Sequence, residues 1–404
     1  MGGAAAPSVE SCSLILAHLA DLHLGFRAYP RAARGHNVRE GDVCDAFLRA
    51  VDELTRLAPD AVLIAGDVFD QPDPPPRALV TLTQGIRNLR DALPSTPVLI
   101  AAGPRDMPVQ FGDRCVLSAL DAIPGVTTAV ETPRAVRVGD ANAVLLPHRA
   151  SSAAATGTAG GSEPDASARW NVLVTHALAA SAASPARKHA SSWPRSARGR
   201  ADDPASPDRA PLRTEIDPGV WDYVALGGEH VQRTLLSHVR WAGSLERVGW
   251  RPWNEALEEK GFLTYDLTRK RARFHPVHVR AVVSLAPIRV LPGQSDRLRL
   301  RMREVIDEVP GGIDQKIVLV RVRGAEPPDL AGIVEPLVSA LRQRALHLSV
   351  VLEDVDVRAP VALPGGPLYP RLAELLVEEG VPSDKAPGLA GALLGEMPSE
   401  AETP

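Results

Sequence analysis

Two aspartates and three histidines stand where short apolar runs of this chain stop. Asp21 and His23 follow the run Ser13 to Ala20, and Asp67 follows Ala61 to Ala65 across Gly66. His176 follows Asn171 to Val174, and His230 follows Tyr223 to Leu226 across Gly227, Gly228 and Glu229. Such a donor set suits Mn²⁺, Fe or Zn better than Mg²⁺, because imidazole favours transition metals. Two ions about 3.5–4 Å apart that share a carboxylate clamp a phosphodiester and activate water. A lone aspartate after a glycine turn is as readily a turn cap as a ligand. The recurrence at several strand ends is what points to metal chemistry.

The elements that must position these residues are legible as patterns. The apolar runs rich in Val, Leu and Ile read as buried parallel strands, with further ones at Pro97 to Ala102 and Ala143 to Leu146. Between them, Cys44, Phe47, Leu48, Val51 and Leu54 recur at helical spacing over Asp42 to Leu57, and a second helix runs from about Arg77 to Leu93. Ligands beyond the carboxyl ends of such strands describe a layered α/β fold, with mixed sheets flanked by helices.

After Leu267 the character changes. Val282 to Val290, Lys316 to Arg323 and Leu348 to Val357 read as strands, with helices at Asp296 to Glu308 and Leu330 to Ala345, a second and smaller α+β unit. Two short helical patterns follow, Leu368 to Glu379 and Pro387 to Leu394; such helices pack on their own domain or dock a partner. The stretches 150–168 and 180–213, dominated by Ala, Ser, Pro, Gly and Arg, lack apolar periodicity and are expected to be disordered insertions. The second is basic around Arg187, Lys188, Arg195, Arg198 and Arg200: a solvated loop, or one that brushes a phosphate backbone.

The composition narrows the class. A length of 404 residues accommodates two or three domains, and a formal net charge of −4 gives no global basic field, so any DNA contact must use local patches. Cys12, Cys44 and Cys115 have no paired spacing, which argues for a reducing compartment and against a cysteine zinc site. No apolar run approaches a membrane span and the start lacks a positively charged n-region, so a cytoplasmic protein is expected.

The order DLH, GDVFD, GPRD, THA, GGEH, WAGSLERVGW and KGF resembles the calcineurin-like metallophosphoesterases. Within them it resembles SbcD, the nuclease subunit of the SbcCD DNA double-strand-break repair complex, from Leu14 to about Leu394. The D-x-H and GD motifs mark only the superfamily; AVLIAGDVFD, and YVALGGEH with AGSLERV, are specific to the narrower group. The resemblance implies a phosphoesterase domain over 13–267, a capping domain over 275–358 and partner-binding helices over 364–398. It assigns Asp21, His23, Asp67 and His230 to a first Mn²⁺, with Asp67 bridging to a second that His176 serves. It also implies a homodimer in the nucleoid-associated cytoplasm, acting on double-stranded DNA ends with an SbcC-like SMC-type ATPase.

The sequence departs from that family pattern in the active site itself. The family motif G-N-H-D stands as Gly103-Pro104-Arg105-Asp106, so a ligand asparagine has become Pro104. The histidine held to stabilise or protonate the leaving group has become Arg105, beside Asp106 in the catalytic position. The family motif G-H-x-H stands as Gly227-Gly228-Glu229-His230, so a second-metal histidine is lost at Gly228, with Glu229 as its possible replacement. The expected function is therefore an SbcD-like DNA exonuclease with a degenerate second metal site and impaired cleavage. The alternatives are a non-catalytic SbcD-like scaffold and a phosphoesterase acting on small molecules. Regaining the second ion would take Pro104→Asn, Arg105→His and Gly228→His together.

Overall fold

Period-two alternation in the apolar runs sorts their side chains to two faces, and this sorting builds the molecule. The structure is a computed structural model that describes residues 13–108, 114–150, 161–176, 217–249, 251–291, 293–324 and 337–353, with 376, 377, 382 and 385. It divides into two compact units, 1–280 and 281–404.

The first unit holds two six-stranded mixed sheets. Its strands in chain order are β1 (Ile15–Leu19), β2 (Ala61–Ala65), β3 (Val98–Ala101), β4 (Val126–Ala129), β5 (Arg134–Val138), β6 (Ala141–Leu146), β7 (Trp170–His176), β8 (Tyr223–Gly227), β9 (Arg233–Leu236), β10 (Val239–Trp241), β11 (Gly261–Asp266) and β12 (Arg271–Pro276). One sheet runs β12-β11-β1-β2-β3-β4 and the other β9-β10-β8-β7-β6-β5. β1 to β4 pair in parallel, as do β6, β7 and β8, so their carboxyl ends share one edge in each sheet.

Leu16, Leu63, Leu99, Val172, Tyr223 and Tyr265 share one buried cluster fed by both sheets. The alternate residues Ala17, Leu19, Val62 and Ile64 pack with helices α1 (Val38–Leu57) and α2 (Pro76–Ala92). Val144, Leu146, Leu173, Val224 and Leu226 form the outer core of the second sheet. The order is helices, sheet, sheet, which is the layered α/β fold expected. Each buried aliphatic residue contributes roughly 1.5–3 kcal/mol against exposure, which is why strands apolar on both faces must lie inside.

Helix α1 begins at Val38, four residues before the expected start at Asp42. Asn37 caps it by accepting from the Arg39 and Glu40 amides at 3.0 and 3.3 Å. The first turn buries charge rather than hydrocarbon. Arg39, 1% exposed, donates to Asp42 (2.7 Å), Glu246 (3.1 Å) and the Arg247 carbonyl (2.6 Å). A hydrophobic pattern cannot register such a turn. The edge strands β5, β9 and β12 escaped the sequence reading for the same reason, being half polar.

Residues 161–168, expected to be structureless, make a polar turn fastened to the sheet. The Asp165 amide donates to Asn171 Oδ1 (2.8 Å), and the Asp165 carboxylate accepts from Ser167 and pairs with Arg137. The basic insertion at 180–213 lies outside the described residues.

In the second unit Val282–Ser284 and Ile288–Arg289 both pair in parallel with the central strand Ile317–Arg323, which also pairs in parallel with His347–Glu353. Helix α3 (Ser295–Asp307) and residues 337–344, also helical, contribute Leu298, Met302, Ile306, Val338 and Leu341 to its core. The tail patterns lie outside the described residues, apart from Leu376 and Val377.

Candidate metal centre

The loops that leave β1 and β2 are zipped together by backbone hydrogen bonds, and this sets the site. Asp21 N donates to Gly66 O (3.0 Å), His23 N to Asp67 O (3.0 Å) and Leu24 N to Val68 O (2.9 Å). Asp21, His23 and Asp67 all adopt the left-handed conformation, with φ of 51°, 46° and 48°. Asp and His tolerate that region better than most residues, and three neighbours held there mark a backbone shaped for its side chains.

All five expected residues come together. The donor atoms fall into two groups, Asp21 with His23 and His230, and Asp21 with Asp67 and His176, each with its ligand atoms within 4.8 Å of one another. His176 Nε2 lies 3.2 Å from Asp21 Oδ1 and 3.4 Å from Asp67 Oδ2. The rings of His23 and His230 meet edge to face at 5.0 Å. His23 Nδ1 is hydrogen-bonded to Asp70 at 3.0 Å, while its Nε2 is buried without a hydrogen-bond partner, 3.9 Å from Asp67 Oδ2. A buried imidazole nitrogen left over beside carboxylates, its ring fixed from behind by a third, is how a protein prepares a metal ligand. The residues present therefore fit a divalent ion.

No protein-family model matches the chain. Three archaeal proteins described as DNA double-strand break repair protein Mre11 are similar to it. That of Methanococcus maripaludis is 33% identical over 91 residues, 22% of this chain and 23% of its own length. For Aeropyrum pernix the figures are 40% over 105 residues, 26% and 24%; for Methanocaldococcus jannaschii, 33% over 107 residues, 26% and 27%. Over these stretches the chain is similar to the Mre11 proteins, the group that its motifs resemble. The matched stretches span about a quarter of the length of those relatives. Among solved structures, a purple acid phosphatase from yellow lupin, PPD1, aligns with 67% of this chain and 53% of its own at a TM-score of 0.36 and 11% identity.

Against the Mre11/SbcD pattern, the structure shows what the departures do. Asp21 is a carboxylate common to both donor groups, and Asp67 Oδ2 lies 3.4 Å from His176 and 3.9 Å from His23. The Gly228 amide donates to both Asp21 oxygens (3.1 and 2.9 Å) and holds that carboxylate between the histidines. Asp67 is drawn the other way: its Oδ1 accepts from the Arg105 amide (3.0 Å), and the Arg105 guanidinium lies 3.7 Å from its Oδ2. Arg105 also reaches Asp70 Oδ1 at 3.6 Å, with its side chain 42% exposed. Pro104 opens a short 3-10 turn and offers no donor atom. Glu229 lies 3.8 Å from Arg233 and belongs to neither donor group.

Asp106 stands apart from the ligands. Its two oxygens accept from the Phe69 amide (2.9 Å) and the Gly103 amide (2.8 Å), so it ties the β2 and β3 loops together. Sequence reasoning also passed over Asp70, which fixes His23, and Ser244, Glu255 and Lys260 around His230. The signal for Asp70, Ser244 and Lys260 was present in the GDVFD, AGSLER and KGF motifs, though none of them reads as a ligand, and Glu255 lies in no motif.

Gly228 has φ +103°, and a Cβ there would stand 3.2 Å from His176 Cε1. Gly228→His is therefore expected to cost about 1–3 kcal/mol through backbone strain and to add no second ion. Thermal melting and the number of metal ions per chain check this. A restored second site by the triple replacement runs into the same backbone.

The electrostatics set how metal binding depends on pH. Burial pushes His176 down, but Asp67 and Asp21 outweigh it and hold the imidazole well above its ordinary range. Asp67 stays well below the usual carboxylate range, because His176 and His23 outweigh its burial. His230 is brought down to about 4, by burial first and by His23 second, and so presents a neutral ring. Burial and then the Asp67 charge push Asp106 up to about 7. A raised His176 keeps its proton until the pH exceeds its raised value, and a ligand must give that proton up. At the Asp21, Asp67 and His176 group, Mn²⁺ affinity is expected to rise with pH up to that value, with a proton released for each ion bound there. Calorimetric titrations in buffers of different ionisation heat measure the proton.

Proposed function

We propose that this chain is an SbcD-like nuclease subunit that hydrolyses phosphodiesters at double-stranded DNA ends with a divalent ion, Mn²⁺. One ion is held by Asp21, His23 and His230 with Asp67 beside them, and the second position is weak. The observation that carries the reading is the buried, unpartnered His23 Nε2, aimed at Asp67 and fixed by Asp70. A bound ion supplies a Lewis acid and an activated water. Asp67 and Asp21 orient that ion, Asp70 keeps His23 in the ligating tautomer, and Arg105 presents a half-exposed cation to a phosphate oxygen. A guanidinium, which keeps its charge in proteins, cannot protonate a leaving alkoxide. Losing a general acid costs about 10²–10⁴ in rate, so cleavage is expected to be slow.

A second reading, a non-catalytic scaffold that holds DNA ends for an SbcC-like ATPase, is favoured by the Arg105 guanidinium lying on Asp67 and Asp70. The deciding experiment combines metal content with Mn²⁺-dependent cleavage of linear duplex DNA by the purified chain. Slow cleavage with about one ion per chain supports the first reading. No cleavage, with DNA ends still bound, supports the second; turnover of small phosphodiesters alone would leave a small-molecule phosphoesterase.

The second unit fits the role of a capping domain by its place after the phosphoesterase core. A cytoplasmic homodimer completes the proposal; no helix among the described residues is long and apolar enough to cross a membrane. Docking of the ATPase is assigned to the apolar residues of the tail, Leu372, Leu389 and Leu393, while Leu376, expected with them, is already buried. Deleting residues after Pro364 should abolish co-purification of a coiled-coil ATPase.

A further inference from the structure

We propose that Lys260, paired with Glu255, is a positioning residue that fixes His230 by tying its backbone across the two sheets, an inference that rests on the metal-centre reading above. Lys260 directly precedes β11 of the first sheet, whereas His230 follows β8 of the second. Its ammonium is buried, the residue being 2% exposed, and it donates to His230 O (2.6 Å), to Ser244 Oγ (3.1 Å) and to Glu255 Oε2. An ammonium has three protons, and these acceptors use all of them.

Two of the three acceptors belong to the His230 tie. The Ser244 amide also donates to His230 O (3.1 Å), and the Ser244 hydroxyl accepts from Lys260 while donating to Glu246 O (2.7 Å). Glu255 then addresses the ring, with Oε1 3.9 Å from His230 Nδ1. Asp70 stands behind His23 in the same way, at 3.0 Å. Outer carboxylates that orient ligating imidazoles change metal affinity when removed. A buried ammonium placed only for stability has no need to choose the carbonyl of a ligand residue. One placed to hold His230 in register has to choose it.

The test uses the full chain, with Lys260→Met and with the double variant Lys260→Met/Glu255→Gln, which leaves no unpaired buried charge. Two readouts are taken: hydrogen exchange of the Ser244 amide without added metal, and the dissociation constant for Mn²⁺. The expected result is Ser244 exchange faster by about 10-fold or more, with the interior amides of β7 and β8 unchanged, and a Mn²⁺ dissociation constant raised about 10–100-fold. Unchanged Ser244 protection in the double variant, or Mn²⁺ bound as tightly as by the unaltered chain, overturns the inference. If the unaltered chain takes up no Mn²⁺ while Ser244 exchange still responds, the tie stands and the metal-centre reading falls.

Discussion

Asp67→Asn is expected to lower Mn²⁺-dependent phosphodiester cleavage at least about 10³-fold, with loss of tightly held metal. The carboxylate is 5% exposed and faces His176 at 3.4 Å, Arg105 Nε at 3.7 Å and His23 Nε2 at 3.9 Å. Asparagine keeps the shape but removes the charge, and one of its two positions becomes a donor facing the Arg105 guanidinium. Each of those cationic or ligating groups loses its counter-charge at once, which in a buried site is worth several kcal/mol. Metal analysis after dialysis, with cleavage of linear DNA under saturating Mn²⁺, measures the effect. The same rate and metal content as the unaltered chain would remove Asp67 from the site.

Gly227→Ala should be the most damaging single methyl in the first unit. Gly227 ends β8, and a Cβ there would stand 1.8 Å from Ala65 O and 3.0 Å from His176 Cδ2. Ala65 ends β2 in the other sheet, so the two sheets approach closely beneath the ligands, and the nearest atoms are backbone, with no flexible side chain to yield. Overpacking of this kind costs about 3 kcal/mol or more, and here it would also part Asp67 from His176. A lower urea midpoint at unchanged slope, together with weaker metal binding, is the expected pair of results. A stability loss without any change in metal affinity would mean that the two sheets separate without disturbing the ligands.

The linear sequence determined which residues meet at the candidate site. Asp21, His23, Asp67, His176 and His230 each follow an apolar run, and strands buried on both faces can end only where polar groups meet solvent or one another. The same runs determined the layers, because period-two alternation assigns Leu16 and Leu63 to one core and Ala17 and Val62 to the next. Hydrophobic pattern carries no information where charge is buried in pairs. That is why α1 was read from Asp42 although Arg39 and Glu40 lie inside, and why Lys260 and Glu255 went unread. How the two carboxylates are held at the ligands was decided only in three dimensions. A backbone amide at Gly228 binds Asp21, and Arg105 draws Asp67 aside, across 207 and 38 residues of chain. Hydrogen bonds of that reach depend on where two sheets meet, and sequence spacing does not encode that distance.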